Sequence, residues 1–176
     1  MNELLLDQLA IRQLVENWVV WRDAGHWDRF RTVWFDDGRM MATWTQGTAD
    51  EFIDMSKKGW AKGVSILHFL GGHSADINGT RAISQTKMTI SQRALVHDVM
   101  VDVVCTGRFY DFLEKRDVKL DPALLNAFPV GYRHLAYLQS QIGYPVKKDM
   151  PGLQGPEVEK LYADGADWLA GQPLTR

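Results

Sequence analysis

Ile11, Leu14, Val15, Trp18 and Val19 recur at intervals of three and four, which puts them on one stripe of an amphipathic helix over roughly residues 3–24. Gly25 supplies a stop signal for it. Trp27, Phe30, Val33 and Trp34 continue at helical spacing and predict a short second helix that ends before Asp36, Asp37 and Gly38. The stretch 39–45, with Met, Thr and Trp, reads as a strand. Thr48 with Glu51 three positions on is a capping-box signal for a third helix through about Lys62.

From Ile66 the period changes to two. Leu67, Phe69, Gly71, His73, Ala75 and Ile77 fall on one face, and His68, Leu70, Gly72, Ser74, Asp76 and Asn78 on the other, so a long half-buried strand is expected. Asn78-Gly79 is a hairpin signal. Beyond it Ala82, Ser84, Thr86, Met88 and Ile90 alternate with polar residues and predict an antiparallel partner strand. Residues 99–112 give a further strand, in which Gly107 marks a bulge or bend of the kind a curved sheet uses. Five prolines punctuate residues 118–156 and leave that stretch without a firm assignment. Pro156, followed by Val158, Leu161, Tyr162, Ala166 and Leu169, predicts a final helix ending near Gly171.

Composition narrows the classes of function. A chain of 176 residues with 45% hydrophobic residues is expected to form a single domain, residues 1–176. Its 20 Lys and Arg against 22 Asp and Glu give a net charge of -2, which supplies no electrostatic ground for binding nucleic acid or an anionic membrane. No apolar run approaches the ~18 residues a membrane span needs, and acidic residues near the start do not suit a signal peptide, so a soluble, cytoplasmic protein is expected. The single cysteine, Cys105, excludes an intrachain disulfide framework. No paired histidines at metal-ligand spacing, no phosphate-binding glycine loop and no Gly-x-Ser-x-Gly elbow occur, so neither a metal nor a nucleotide is expected.

Two residues sit where their chemistry is out of place. Asp23 prolongs the apolar stripe of the first helix at its C-terminal end, where the macrodipole disfavours a negative charge, so it needs a compensating partner. Its bland reading is a helix-ending residue paired with Arg22 or Arg29. His73 shares the apolar strand face by alternation, and a buried imidazole needs a hydrogen-bond partner; its bland reading is a satisfied core histidine. Gly71 and Gly72 beside it leave room for a ligand or allow a bulge. Trp18, Trp44, Phe69, Met88 and Tyr110 are placed to line an apolar cavity, which suits a small hydrophobic or aromatic substrate.

The order of two helices, strand, helix and long antiparallel strands, with Asp23 closing the first helix and His73 inside the first long strand, resembles the SnoaL-like, nuclear-transport-factor-like α+β superfamily over residues 3–117. The segments Trp-Arg-Asp-Ala-Gly-His-Trp-Asp-Arg-Phe at 21–30 and Gly-Arg-Phe-Tyr-Asp-Phe-Leu-Glu-Lys-Arg-Asp at 107–117, with His73 and Asn78, resemble one branch of it. That branch includes scytalone dehydratase, bile-acid dehydratase and hexachlorocyclohexane dehydrochlorinase.

The resemblance implies a conical barrel of curved, mainly antiparallel sheet wrapped around the N-terminal helices, with residues 118–176 as a C-terminal extension. It further implies a cofactor-independent lyase, a dehydratase or other β-eliminating enzyme, with Asp23 and His73 as its catalytic dyad. An isomerase or cyclase using the same base, or a binding protein without catalysis, are the alternatives. Where the branch places Lys or Tyr one turn before the Asp, this chain has Trp18, so Arg108 or Tyr110 is expected to supply the accessory polar group. The strand that usually follows directly after Asp117 is expected to be shortened, displaced or replaced by residues 131–144. Association into a homodimer, or a trimer as in some relatives, is expected through the apolar outer positions Leu70, Val104 and Phe112.

Overall fold

The computed structural model describes residues 3–42, 45–116, 132–140 and 155–173. Helix α1 (Glu3–Asp23) is followed by α2 (Trp27–Arg31), strands β1 (Trp34–Met41) and β2 (Gln46–Thr48), and helix α3 (Ala49–Ala61). Strands β3 (Ser65–Asn78), β4 (Arg81–Val96), β5 (Val99–Lys115) and β6 (Tyr132–Ser140) and helix α4 (Gly155–Leu169) complete the order. One six-stranded sheet runs β2-β1-β6-β5-β4-β3, all pairs antiparallel except β1 with β6. It is an α+β fold whose curved sheet wraps the N-terminal helices α1–α3 as an open cone rather than a closed barrel. Strand β6 lies between β1 and β5, so of the three alternatives for the last strand, replacement by the 131–144 stretch is the one found.

Helix α1 forms where the apolar stripe predicts it, and Ile11, Leu14, Val15, Trp18 and Val19 are all buried. They meet Ala82, Met88, Phe109 and Leu113 from the concave sheet face, with Phe30, Trp34 and Phe52 closing the core. Each such side chain contributes about 1.5–3 kcal/mol by leaving water. Trp18 is the centre of this cluster, with the rings of Phe30, Phe109 and Phe52 at 5.1, 5.6 and 6.1 Å.

The end of α1 is set by backbone chemistry. The His26 amide donates to the Trp21 carbonyl and the Gly25 amide to that of Arg22, a Schellman closure whose left-handed residue is Gly25 at φ 68°. A Cβ at Gly25 would lie 3.1 Å from the Trp60 ring, so glycine is also needed for the close approach of α3.

The third helix carries the anticipated box. The Thr48 hydroxyl accepts from the Glu51 amide at 3.2 Å, and the Glu51 carboxylate accepts from the Thr48 amide at 2.8 Å. Thr48→Ala should cost about 1 kcal/mol in urea unfolding, with an unchanged dependence on denaturant concentration.

Several sequence expectations change. Strand β1 starts at Trp34 rather than Arg39, because Trp34 turns into the aromatic core beside Phe30 at 4.9 Å and α2 stops at Arg31. The hairpin loop is Gly79-Thr80, with Asn78 already paired to Arg81. The ladder between β4 and β5 runs through Met88 and Gly107 without interruption, so Gly107 makes no bulge against β4. The bulge lies in β3, where Leu70 pairs with Met88 and His73 with Thr86, leaving Gly71 and Gly72 opposite Lys87 alone.

The outer sheet face is also arranged differently. Helix α4 covers it, with Trp168 6.5 Å from Phe112 and Tyr162 5.4 Å from Tyr110. Phe112 is therefore buried, and Leu70 turns inward against the core, while Val104 remains exposed. Arg81 holds the end of α4, stacking 3.9 Å from the Trp168 ring centre and donating to the carbonyls of Trp168 and Gln172. No described helix is long and apolar enough to cross a membrane.

Candidate active site

Asp23 is the last residue of α1 and points at β3. One carboxylate oxygen, Oδ1, lies 2.7 Å from Nδ1 of His68, and Oδ2 accepts from the His68 backbone amide at 2.6 Å. Two donors of one residue thus clamp both oxygens. The Arg22 guanidinium stands 3.7 Å from Oδ1. These three positive or donating groups offset the unfavourable placement of a carboxylate at a helix C-terminus. Arg22 is itself buried, which lowers its pKa, and the adjacent Asp23 opposes that shift.

The pair is withdrawn from solvent, with the side chains of His68 and Asp23 only 5% and 12% exposed. The Trp18 ring meets the imidazole edge to face at 5.3 Å, and Phe109 flanks it at 6.2 Å. Low polarity around a hydrogen-bonded pair strengthens its electrostatics. An imidazole whose Nδ1–H is given to a carboxylate carries its lone pair on Nε2, the nitrogen that can then act as a base.

His73 does not reach Asp23. Its Nδ1 lies 2.8 Å from the Thr86 hydroxyl, and its Nε2 is buried with no hydrogen-bond partner among the described residues. The physical reason is the bulge: Gly71 and Gly72 add one residue to β3, so the alternation slips and His68 joins His73 on the concave face. A strict period of two places His68 outside, and its signal was the glycine pair.

Burial is the main force that pushes the His73 pKa down, Arg12 adds to it, and Asp111 and Glu16 oppose it. Arg12 is tied to the bulge, donating to the Gly71 carbonyl at 3.1 Å and pairing with Glu16. The native state therefore holds His73 neutral, and the unfolded chain takes up the proton first as the pH falls. Stability is full above the ordinary histidine value of 6.5 and is lost below it, down through the depressed native value. Urea unfolding from about pH 7.5 to 5 should show a shallower loss in His73→Gln than in the wild type.

The other expected site residues divide between the two faces of the sheet. Trp18 and Met88 are buried on the concave side. Phe69 is 59% exposed and lines nothing, because the unslipped half of β3 turns it outward. Arg108 and Tyr110 lie under α4 on the outer face, where Arg108 donates to Gln85 at 3.2 Å. Neither supplies an accessory group to Asp23. Burial and the neighbouring Tyr162 push the Tyr110 hydroxyl up to about 12, so it stays protonated. Trp44 lies outside the described residues. Ser84 donates to Asp111 at 3.0 Å in a fully buried pair on the concave face. Among the described residues no three His, Cys, Asp or Glu side chains converge as a metal ion would require.

The family described as SnoaL-like domain matches residues 3–119. This chain belongs to that SnoaL-like family. Pea pathogenicity protein 2 of Fusarium vanettenii is 32% identical to it, across 98% of this chain and 90% of the relative, so that similarity extends through the C-terminal segment. The fold also resembles a candidate scytalone dehydratase from Novosphingobium aromaticivorans, with TM-score 0.60, 14% identity, and coverage of 78% and 87% of the two chains. A ketosteroid isomerase-like protein from Erwinia carotovora has TM-score 0.58 and 12% identity, with coverage of 82% and 100%. SnoaL-like folds thus include dehydratases and isomerases, and at these identities the likeness to solved structures concerns the fold alone.

Proposed function

We propose that this protein is a cofactor-independent lyase that eliminates water or another β-leaving group from a small hydrophobic or aromatic substrate. The observation that carries this reading is the buried clamp of Asp23 on His68, through both the ring and the backbone amide. Nε2 of His68 takes a proton from a carbon next to an activating group, and the C–H electron pair becomes the new double bond. The bond to the β-hydroxyl breaks, and the departing oxygen takes the proton from Nε2–H to leave as water. Asp23 fixes the tautomer and stabilises the imidazolium between the two transfers. Membership of a family that includes dehydratases supports the reading.

Isomerisation is the second reading, favoured by the ketosteroid isomerase-like neighbour. It begins with the same abstraction and returns the proton to another carbon. Mass spectrometry of products from a panel of hydroxylated and halogenated ring compounds separates the two. Elimination lowers the product mass by one water or one hydrogen halide, and isomerisation leaves it unchanged. A protein that converts no member of the panel, with or without a change of mass, would sink both readings and leave a binding protein.

A further inference from the structure

Arg108, expected at the substrate cavity, stands instead at a groove on the outer side of the sheet, where Gly72 and Ser74 of β3 meet Gln85 and Lys87 of β4. The cavity has a volume of about 360 Å³ and is lined by Gly72, His73, Ser74, Gln85, Lys87 and Arg108. Among the described residues its lining holds two cations and the neutral donors of Ser74 and Gln85, and no carboxylate.

Lys87 and Arg108 stand directly opposite each other in the β4–β5 ladder, an arrangement in which like charges repel. The Lys87 ammonium makes no hydrogen bond or ion pair with any described residue. Arg108 is held in place by the Gln85 carbonyl oxygen at 3.2 Å and the Tyr162 hydroxyl at 3.5 Å. With that oxygen engaged, Gln85 keeps its amide NH₂ as a donor.

The bulge clears the approach. A Cβ at Gly71 would lie 3.3 Å from Cβ of Lys87, whereas the space beside Gly72 is open, with no atom within 4 Å of a Cβ built there. Bulges recur beside functional sites because they re-aim side chains and interrupt pairing. Here the bulge places a side-chain-free step next to two cations.

We propose that this groove binds the oxyanion of a small ligand, a phosphate or a carboxylate, with Lys87 and Arg108 as its charge partners and Ser74 and Gln85 as neutral donors. An anion between the two cations converts their repulsion into two charge-assisted contacts, and the planar guanidinium suits either oxyanion. The site lies on the opposite face of the sheet from Asp23 and His68 and does not depend on the reaction proposed for them.

The test is an NMR titration of the ¹⁵N-labelled full chain with sodium phosphate and, separately, sodium acetate, with sodium chloride holding the ionic strength constant. Saturable shifts of the Gly72 and Ser74 amides are expected with at least one anion. A response to phosphate alone identifies a phosphoryl ligand, to acetate alone a carboxylate, and to both a site for either group. Lys87→Gln, at an exposed position without contacts to lose, should weaken binding about tenfold. Gly72→Asp should abolish the response by placing its own carboxylate in the open space. Absence of saturable shifts with both anions, or a Lys87→Gln variant that binds as tightly as the wild type, overturns the proposal.

Discussion

His68→Gln is expected to lower turnover of an eliminated substrate by about 10²- to 10⁴-fold, the range a positioned base contributes, while KM changes little. Glutamine keeps a hydrogen-bonding side chain beside Asp23 but offers no group basic enough to take a proton from carbon. Asp23→Asn should lose activity on a similar scale for a different reason. The carboxylate accepts two donors at once, the His68 ring at 2.7 Å and the His68 amide at 2.6 Å. An asparagine has one oxygen to offer, so its NH₂ must face one of the two. If the oxygen keeps the backbone amide, the NH₂ meets Nδ1, the ring proton moves to Nε2, and the base is lost.

This exchange is visible without any substrate. The ¹⁵N spectrum of His68 should report Nδ1–H in the wild type and Nε2–H in Asp23→Asn. An unchanged tautomer together with unchanged turnover would remove the dyad from the mechanism. The corresponding variant at His73 separates the two histidines, since His73→Gln leaves the clamp on Asp23 intact and should retain turnover.

Trp18→Ala is expected to cost about 3–5 kcal/mol of stability, measured as a lower urea midpoint at an unchanged slope. Trp18 is 2% exposed and touches rings contributed by α2, β1, α3, β3 and β5, so the void it leaves cannot be closed by one neighbour moving. The residual cavity adds to the lost transfer energy of the indole. Trp18→Phe preserves most of the ring contacts and should cost markedly less. Because the indole edge is also one wall of the imidazole, Trp18→Ala should release the His68 ring and weaken its Nδ1–H signal even where the protein remains folded. A loss below about 1 kcal/mol would show that the aromatic cluster is not the keystone its contacts imply.

The sequence by itself determined the elements whose cause is local. The apolar stripe of α1, the Gly25 stop, the capping box of α3 and the inward set Ala82, Ser84, Thr86 and Met88 all stand where spacing and turn chemistry put them. Asp23 was legible as well, because a carboxylate on an apolar stripe at a helix C-terminus demands a partner that the helix itself cannot supply.

Which partner it finds is a tertiary matter. One extra residue at Gly71-Gly72 reverses the facing of half a strand, and whether two glycines bulge depends on the register that β4 imposes from outside the segment. That slip brings His68 to Asp23 and leaves Phe69 outside, and the cover that α4 provides puts Tyr110 and Phe112 beneath it on the outer face. Periodicity fixes which residues share a face only as long as the backbone adds nothing to the count. Sheet pairing decides where it does, and so decided the second half of the site.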